Sequence, residues 1–296
     1  MAMRNPTGRA NYQPNSWGEG PRENPTRGFR SYAAPEEGQK VRLRAESFAD
    51  HYSQARQFYD SQTATEQKHI AMALTFELSK VETPVIRERV VSHLLNIDET
   101  LAQTVADKLG MRKLPKPADA AIPTRKDLEP SPALSIISNG PESFKGRKVG
   151  VLVGTGSDAA IVAALRQVLT KEGATMELIA PVVGGIEASD GSWIEANHMI
   201  DGGPSVLFDA VALVLTEETA NRLTGEAAAR DFVADAFAHC KFIGFTSGAT
   251  PLMVKAGVAV DADEGLVRLD KAAAVEGFVE SCRKLRLWAR EMAVKL

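Results

Sequence analysis

Two glycine-framed turns hold the residues whose types and spacing could do chemistry. Gly244-Phe-Thr246-Ser-Gly248 follows the apolar run ending at Phe245 and precedes Thr250-Pro-Leu252. This is the G-x-S-x-G spacing of a nucleophile elbow, where a strand breaks sharply into a helix and presents an attacking group at the tip. Threonine stands in the nucleophile's place. A hydroxyl attacks only when a base within hydrogen-bond reach removes its proton. Thr246 or Ser247 would therefore need a histidine, an orienting carboxylate and an oxyanion hole to converge. Of the five histidines, His51, His69 and His93 lie in the first third of the chain. His239 immediately precedes the strand that bears the turn, which puts it at the opposite end from Thr246. His198, in "WIEANHMIDGG", falls in an irregular connection and is the remaining candidate base.

The second turn, Gly154-Thr-Gly156-Ser-Asp158-Ala159, fits G-x-G-x-x-A between a strand and a helix. Backbone N–H groups and the helix dipole could hold a pyrophosphate there. A dinucleotide site also needs an acid at the end of the second strand; here that strand ends Ala180-Pro181, and Glu177 sits near its start. The turn reads better as tight packing, with Asp158 a favourable charge in the first helical turn. Asp261–Gly265, "DADEG", is too short for a calcium loop and reads as a charged turn. Cys240 and Cys282 have neither zinc-site spacing nor the numbers for a disulfide framework. No residue is assigned as catalytic, cofactor-binding or metal-ligating on this reading. A hydrolase, or a small-anion site at Gly154–Asp158, stays open as an alternative.

The elements that must position these turns lie in residues 146–296, where strands and helices alternate. Strands are predicted at Val149–Val153, Met176–Ala180, Ala210–Leu215 and Phe242–Phe245. Helices are predicted at Ala159–Lys171, within Glu217–His239 as one or two, at Thr250–Ala256, and at Ala272–Met292 as a closing helix. The basic stretch "CRKLRLWAREM" reads as a solvated face, with Leu285, Trp288 and Met292 as its packed stripe. Such alternation implies an α/β fold, a doubly wound parallel sheet of flavodoxin-like type with right-handed crossovers.

Three further segments precede it. Residues 1–45 lack periodicity, contain Tyr12, Trp17, Phe29 and Tyr32, and carry eight Arg or Lys against four Glu up to Arg44. Isolated aromatics in such a stretch favour an extended arm that docks on a surface. Residues 46–111 are helical: Phe48, Tyr52, Ala55 and Tyr59 recur at helical spacing, as do Ile70, Leu74, Leu78 and Val81. Thr83-Pro84 and Asp98 start further helices, with Ile86, Val90 and Leu94 on one face, and Gly110 ends the last. About 65 residues bury too little alone, so these faces need cover. Residues 112–145 hold six prolines and form a linker at a domain boundary.

The formal charge of −3 gives no basic field for nucleic acid, and no apolar run is long enough to span a membrane. The N-terminus has no apolar signal core. These features, with only two cysteines, place the protein in the cytoplasm.

"NYQPNSWGEGPRENPTRGF" and "FADHYSQARQFYDSQTATEQKHIAMALTFELSKVETPVIRERVVSHLLNID" resemble the C-terminal part of large-subunit monofunctional haem catalases. Residues 146–296 resemble the extra domain of that class, itself similar to the PfpI-type, class I amidotransferase-like fold. The resemblance implies an arm threading between subunits of a homotetramer, helices packed on a haem-binding β-barrel, and an outer α/β domain. It implies haem and hydrogen peroxide disproportionation, an oxidative-stress defence, for the intact protein. The barrel and its distal His, Asn and proximal Tyr have no counterpart in this sequence, where no arginine has tyrosine four positions on. Partners implied are further copies of the chain or the haem-barrel portion. In PfpI-type proteins the elbow bears a cysteine assisted by a glutamate. By the same resemblance those positions are Thr246 and a residue at or near Ala160, so both groups are missing. The expectation is a chain that binds no haem and is inactive alone, with a structural, tetramer-stabilising or chaperone-like role as the alternative.

Overall fold

Residues 53–108 form four helices: α1 Ser53–Asp60, α2 Ala64–Ser79, α3 Pro84–Leu94 and α4 Glu99–Lys108. The computed structural model describes residues 35 and 37–294, so most of the predicted arm over 1–45 lies outside the described residues. The chain forms two compact units, Met1–Ala49 and Asp50–Leu296. In the first, residues Glu46–Ala49 form a 3-10 turn, and the Arg44 guanidinium lies 4.5 Å from the centre of the Phe48 ring. The helical spacing predicted from Phe48 to Tyr59 is therefore interrupted, and α1 starts only at Ser53.

In the second unit, Thr63 and Glu66 form a reciprocal capping box at α2. Asp98 accepts the Leu101 N–H to cap α4, and Gly110 closes that helix at φ 69°. Thr83 precedes α3 without a side-chain cap bond; Pro84 at its first position supplies the start. Tyr59, Leu78, Val91, Leu94, Leu101 and Val105 form a small core, with Ile70, Leu74, Val81 and Val90 packed beside it. Ile86, expected on the packed face of α3, is exposed, as are Phe58, Phe76 and Val85.

The proline-rich stretch from 112 onward has one 3-10 turn, Pro132–Leu134, and is tied along the helices by side chains. Ala118 N–H donates to the Ser92 carbonyl at 3.0 Å. Asn96 Nδ2 donates to the Ala118 carbonyl at 2.8 Å, and Arg125 N–H to Ser53 Oγ at 2.8 Å. Glu66 receives the Ile137 N–H at 3.0 Å and the Ser135 hydroxyl at 2.8 Å. Extension fits the prolines; attachment comes from polar partners 22 to 72 residues away in sequence.

Residues 148–268 supply a parallel sheet. Its strands are β1 Lys148–Val153, β2 Thr175–Ala180, β5 His198–Met199, β6 Ala210–Val214, β7 Ile243–Phe245 and β8 Leu266–Arg268. The order is β5-β2-β1-β6-β7-β8, and a separate two-stranded antiparallel pair joins β3 Ile186–Glu187 to β4 Trp193–Ile194. Strand β1 is buried on both faces because helices cover both. On one face Val149, Val151 and Val153 pack with Leu165 and Leu169 of α5 (Ala159–Glu172) and Phe278 of α9 (Val275–Cys282). On the other, Leu152 and Leu213 pack with α6 (Glu217–Leu223), α7 (Ala227–Ala238) and α8 (Thr250–Lys255). Gly150 permits this: a Cβ there would lie 2.3 Å from the Phe208 ring.

The predicted closing helix Ala272–Met292 is not continuous. A 3-10 turn Ala272–Ala274 leads into α9, the chain turns at Leu285 with φ 63°, and a 3-10 turn Trp288–Met292 follows. The expected Leu285–Trp288–Met292 stripe is accordingly absent, and Met292 is exposed. Arg290, read as a solvated cation, is buried. It forms paired bonds to Asp263 of 2.6 and 2.7 Å, and donates to the Lys241 carbonyl at 2.6 Å. The "DADEG" turn is thus a counter-ion for the chain's last turn.

Candidate functional site

Both chemistry-prone turns lie at the C-terminal edge of the sheet, where open α/β sheets usually place ligands. Thr246 ends β7 with φ −77° and ψ 151°, ordinary extended backbone. Among the described residues only Cys240 and Leu285 are non-glycine positions with positive φ. The strained geometry of a nucleophile elbow is therefore not adopted. Thr246 is 8 % exposed. Its hydroxyl donates to the Leu215 carbonyl at 2.7 Å and accepts the Leu215 N–H at 3.0 Å. It fastens the loop after β6 to the end of β7. Gly248 follows because a Cβ there would lie 2.4 Å from the Leu215 carbonyl oxygen.

Ser247 is exposed, but its neighbours do not activate it. Its hydroxyl donates to Asp270 Oδ2 at 2.6 Å and accepts from Arg268 Nη1 at 2.9 Å. The bonds from the Ser247 hydroxyl and N–H hold the Asp270 carboxyl below its usual range, against a smaller rise from burial. A carboxylate made less basic is a poor general base.

His198 is not in an irregular connection: it lies in β5, paired with Ile179 of β2. Its Nε2 contacts Glu177 Oε2 at 2.7 Å, and Lys148 Nζ donates to the other carboxylate oxygen. The bond from Lys148 is the main cause holding the Glu177 carboxyl down. Strands β2, β1 and β6 separate β5 from β7. At ~4.8 Å per strand, His198 is about 19 Å from Thr246 along the sheet. His239 caps α7 and contacts the Asp235 carbonyl at 2.7 Å. The other histidines are also engaged elsewhere. His93 Nδ1 meets the Tyr52 hydroxyl at 2.8 Å, and His69 meets Glu291 at 2.8 Å. The His51 ring stacks edgewise near Tyr52.

The Gly154 turn is closed by its own chain. Gly156 N–H donates to the Glu187 carbonyl at 2.8 Å, and Ser157 N–H to the Gly154 carbonyl at 2.9 Å. Gly154 N–H donates to Ser157 Oγ at 2.9 Å. Asp158 Oδ1 takes the Ala160 and Ile161 N–H groups at 2.8 and 3.1 Å, and Ser189 Oγ takes Ala159 N–H at 3.2 Å. Six of these N–H groups, those of Gly154, Gly156, Ser157, Ala159, Ala160 and Ile161, are thus occupied, two of them by the segment carrying β3 and β4, and a carboxylate stands at the helix start. Ala160, at the position compared with a glutamate, is exposed on α5.

Haem needs an apolar slot and an axial ligand, with tyrosinate favoured by a lowered phenol pKa. The described tyrosines do not fit. Tyr52 is engaged with His93, and Tyr59 is pushed up by burial, with the nearby Asp98 and Asp60 charges adding. Among the described residues no group of three or more His, Cys, Asp or Glu could hold a metal ion. Cys282 is buried and its thiol pushed far above its ordinary value by that burial, which removes thiolate chemistry.

Sequence reasoning missed the residues that do the closing: Ser157, Ser189, Asp270 and the loop-bridging role of Thr246. Their partners lie up to 31 residues away in these bonds, and no local spacing signals them.

Comparison with known proteins gives the family. The model described as "Catalase-related immune-responsive" matches residues 45–109, and that described as "C-terminal domain found in long catalases" matches residues 145–292. "Catalase C" of Rhizobium meliloti (strain 1021) is 62 % identical over 296 residues, covering 100 % of this chain and 42 % of that protein. "Catalase HPII" of Pseudomonas putida is 37 % identical over 97 % of this chain and 40 % of its own length. "Catalase HPII" of Pseudomonas aeruginosa is 38 % identical over 97 % and 41 %. The chain spans about two fifths of the length of these relatives. It belongs to the long, large-subunit catalases, and corresponds to their C-terminal portion.

Proposed function

We propose that this chain is a non-catalytic, stabilising portion of a haem catalase. In this reading the intact protein disproportionates hydrogen peroxide to water and oxygen, with haem held by the part of such proteins that this chain does not span. The observation that carries the reading is the internal satisfaction of both turns. The Thr246 hydroxyl is committed to Leu215, and the amides of Gly154, Gly156, Ala159, Ala160 and Ile161 are committed to Ser157, Glu187, Ser189 and Asp158. The sheet order β2-β1-β6-β7-β8 supports a flavodoxin-like, PfpI-type domain whose nucleophile has become a structural tie. Phe58, Phe76, Val85 and Ile86, exposed on the helices, support burial against the haem barrel within a homotetramer. A cytoplasmic location fits two buried free thiols.

The test uses a full-length relative truncated at the position of Ile122. Turnover per haem should be retained while thermal resistance falls. A large loss of turnover per haem with unchanged thermal resistance would contradict the proposal.

A further inference from the structure

A groove of about 350 Å³ lies where the end of the proline-rich stretch meets the sheet's N-terminal edge and the chain's last turn. Its walls include Ile136 and Trp288 as apolar surface, Arg147, Lys284 and Arg286 as cations, and Asp209 as their one acidic neighbour. Asp209 is heavily used: Oδ1 meets Arg147 Nη1 at 3.3 Å, and Oδ2 accepts the Lys148 N–H at 3.0 Å. Arg286 donates only through Nη1, to the Asp209 and Leu285 carbonyls at 2.9 and 2.8 Å. Its Nε and Nη2 have no protein acceptor among the described residues, and neither do Arg147 Nε and Nη2. Among the described residues, the one side-chain polar atom both sealed from solvent and unpaired is Ser205 Oγ, outside the groove, so the unpaired guanidinium nitrogens of Arg147 and Arg286 are not sealed from solvent. Lys284 has only a distant ion pair of 3.9 Å with Glu264. Burial pushes the Arg286 guanidinium below its ordinary value; Asp209 opposes this, and Arg147 adds to it.

Three cations beside the one carboxylate that lines the groove, with open planar donor forks on Arg147 and Arg286, form an oxyanion-binding arrangement. The indole of Trp288, packed edgewise 5.7 Å from the His69 ring, and the exposed Ile136 supply a flat apolar wall beside it. The volume suits a small organic molecule rather than a bare ion. We infer that this groove binds a small organic oxyanion, a phosphate or carboxylate carried on an aromatic or aliphatic body. The groove shares no lining residue with the Gly154 turn.

The test is titration of the full chain with phenyl phosphate, followed at the Trp288 indole N–H resonance, which Trp288→Phe identifies. Benzoate replaces phenyl phosphate to distinguish a carboxylate from a phosphate ligand; inorganic phosphate and phenol supply charge and ring separately. Saturable binding of phenyl phosphate or benzoate is expected, at least about fivefold tighter than either fragment, and weakening with added salt. Arg147→Gln and Lys284→Gln, checked for unchanged melting, should each weaken it by about fivefold or more. The inference is overturned if neither compound saturates by about 10 mM. It is equally overturned if binding is indifferent to both substitutions, or leaves the Trp288 resonance unmoved.

Discussion

Thr246 shows how a residue that sequence spacing marks for chemistry can be taken up by structure. Its hydroxyl bridges both polar groups of Leu215 in a buried setting. Thr246→Val would leave a buried N–H and C=O unpaired, and should cost about 1–3 kcal/mol in denaturant unfolding, whereas Thr246→Ser should cost much less. A catalytic role would give the opposite signature, with activity lost and stability kept. The sequence made the G-x-S-x-G spacing around Thr246 legible at a glance. It could not make the bridge legible, because Leu215 belongs to a neighbouring strand's loop. Glu66 illustrates the same limit. Burial raises its carboxyl pKa. The N–H groups of Ile137 and Thr63 and the hydroxyls of Ser135 and Thr63 outweigh burial and hold it at about 2, below the ordinary 4.5. A depressed carboxylate stabilises the fold above its unfolded value, and that contribution is lost as pH falls from about 4.5 toward 2. Glu66→Gln should therefore lower stability at neutral pH and flatten the acid limb of the melting curve over that window.

At the scale of elements, long periodic segments were readable, and so were short β7 and α8 on either side of the Gly244–Gly248 turn, whereas the shortest edge strands were not. Helices α2 and α5 and strands β1, β2 and β6 appear where apolar periodicity and caps predict them. Strands β5 and β8, two and three residues long, carry no period; only pairing with β2 and β7 makes them strands. The closing helix failed for a physical reason. After Cys282 the chain must turn back so that Leu287 N–H reaches the Cys240 carbonyl at 2.8 Å and Arg290 reaches Asp263. The left-handed turn at Leu285 follows from those contacts. Since the Arg290 side chain is fully buried in a paired ion bridge, Arg290→Ala should destabilise by about 3–5 kcal/mol, measured by denaturant titration. Arg286→Lys, in the same turn, should be far milder.

For the whole molecule, the helices and the sheet meet through the last turn. Glu291 is buried and takes Lys68 Nζ at 3.0 Å and His69 Nε2 at 2.8 Å from α2, while Arg290 beside it anchors in the sheet region. Two adjacent residues thus bind opposite ways. Glu291→Ala should separate the melting of the helices from that of the sheet, giving two calorimetric transitions where the unaltered chain gives one. Proline spacing made the connecting stretch legible as extended, yet not its attachment to Ser53, Ser92, Asn96 and Glu66. On the proposed function, residues 50–294 hold structure and carry no peroxide or nucleophilic chemistry. The most direct measurement is oxygen evolution from hydrogen peroxide by the purified chain after incubation with haemin and gel filtration. No retained Soret band and no turnover above free haemin are expected. One tightly held porphyrin per chain, with oxygen evolution above that background, would contradict it.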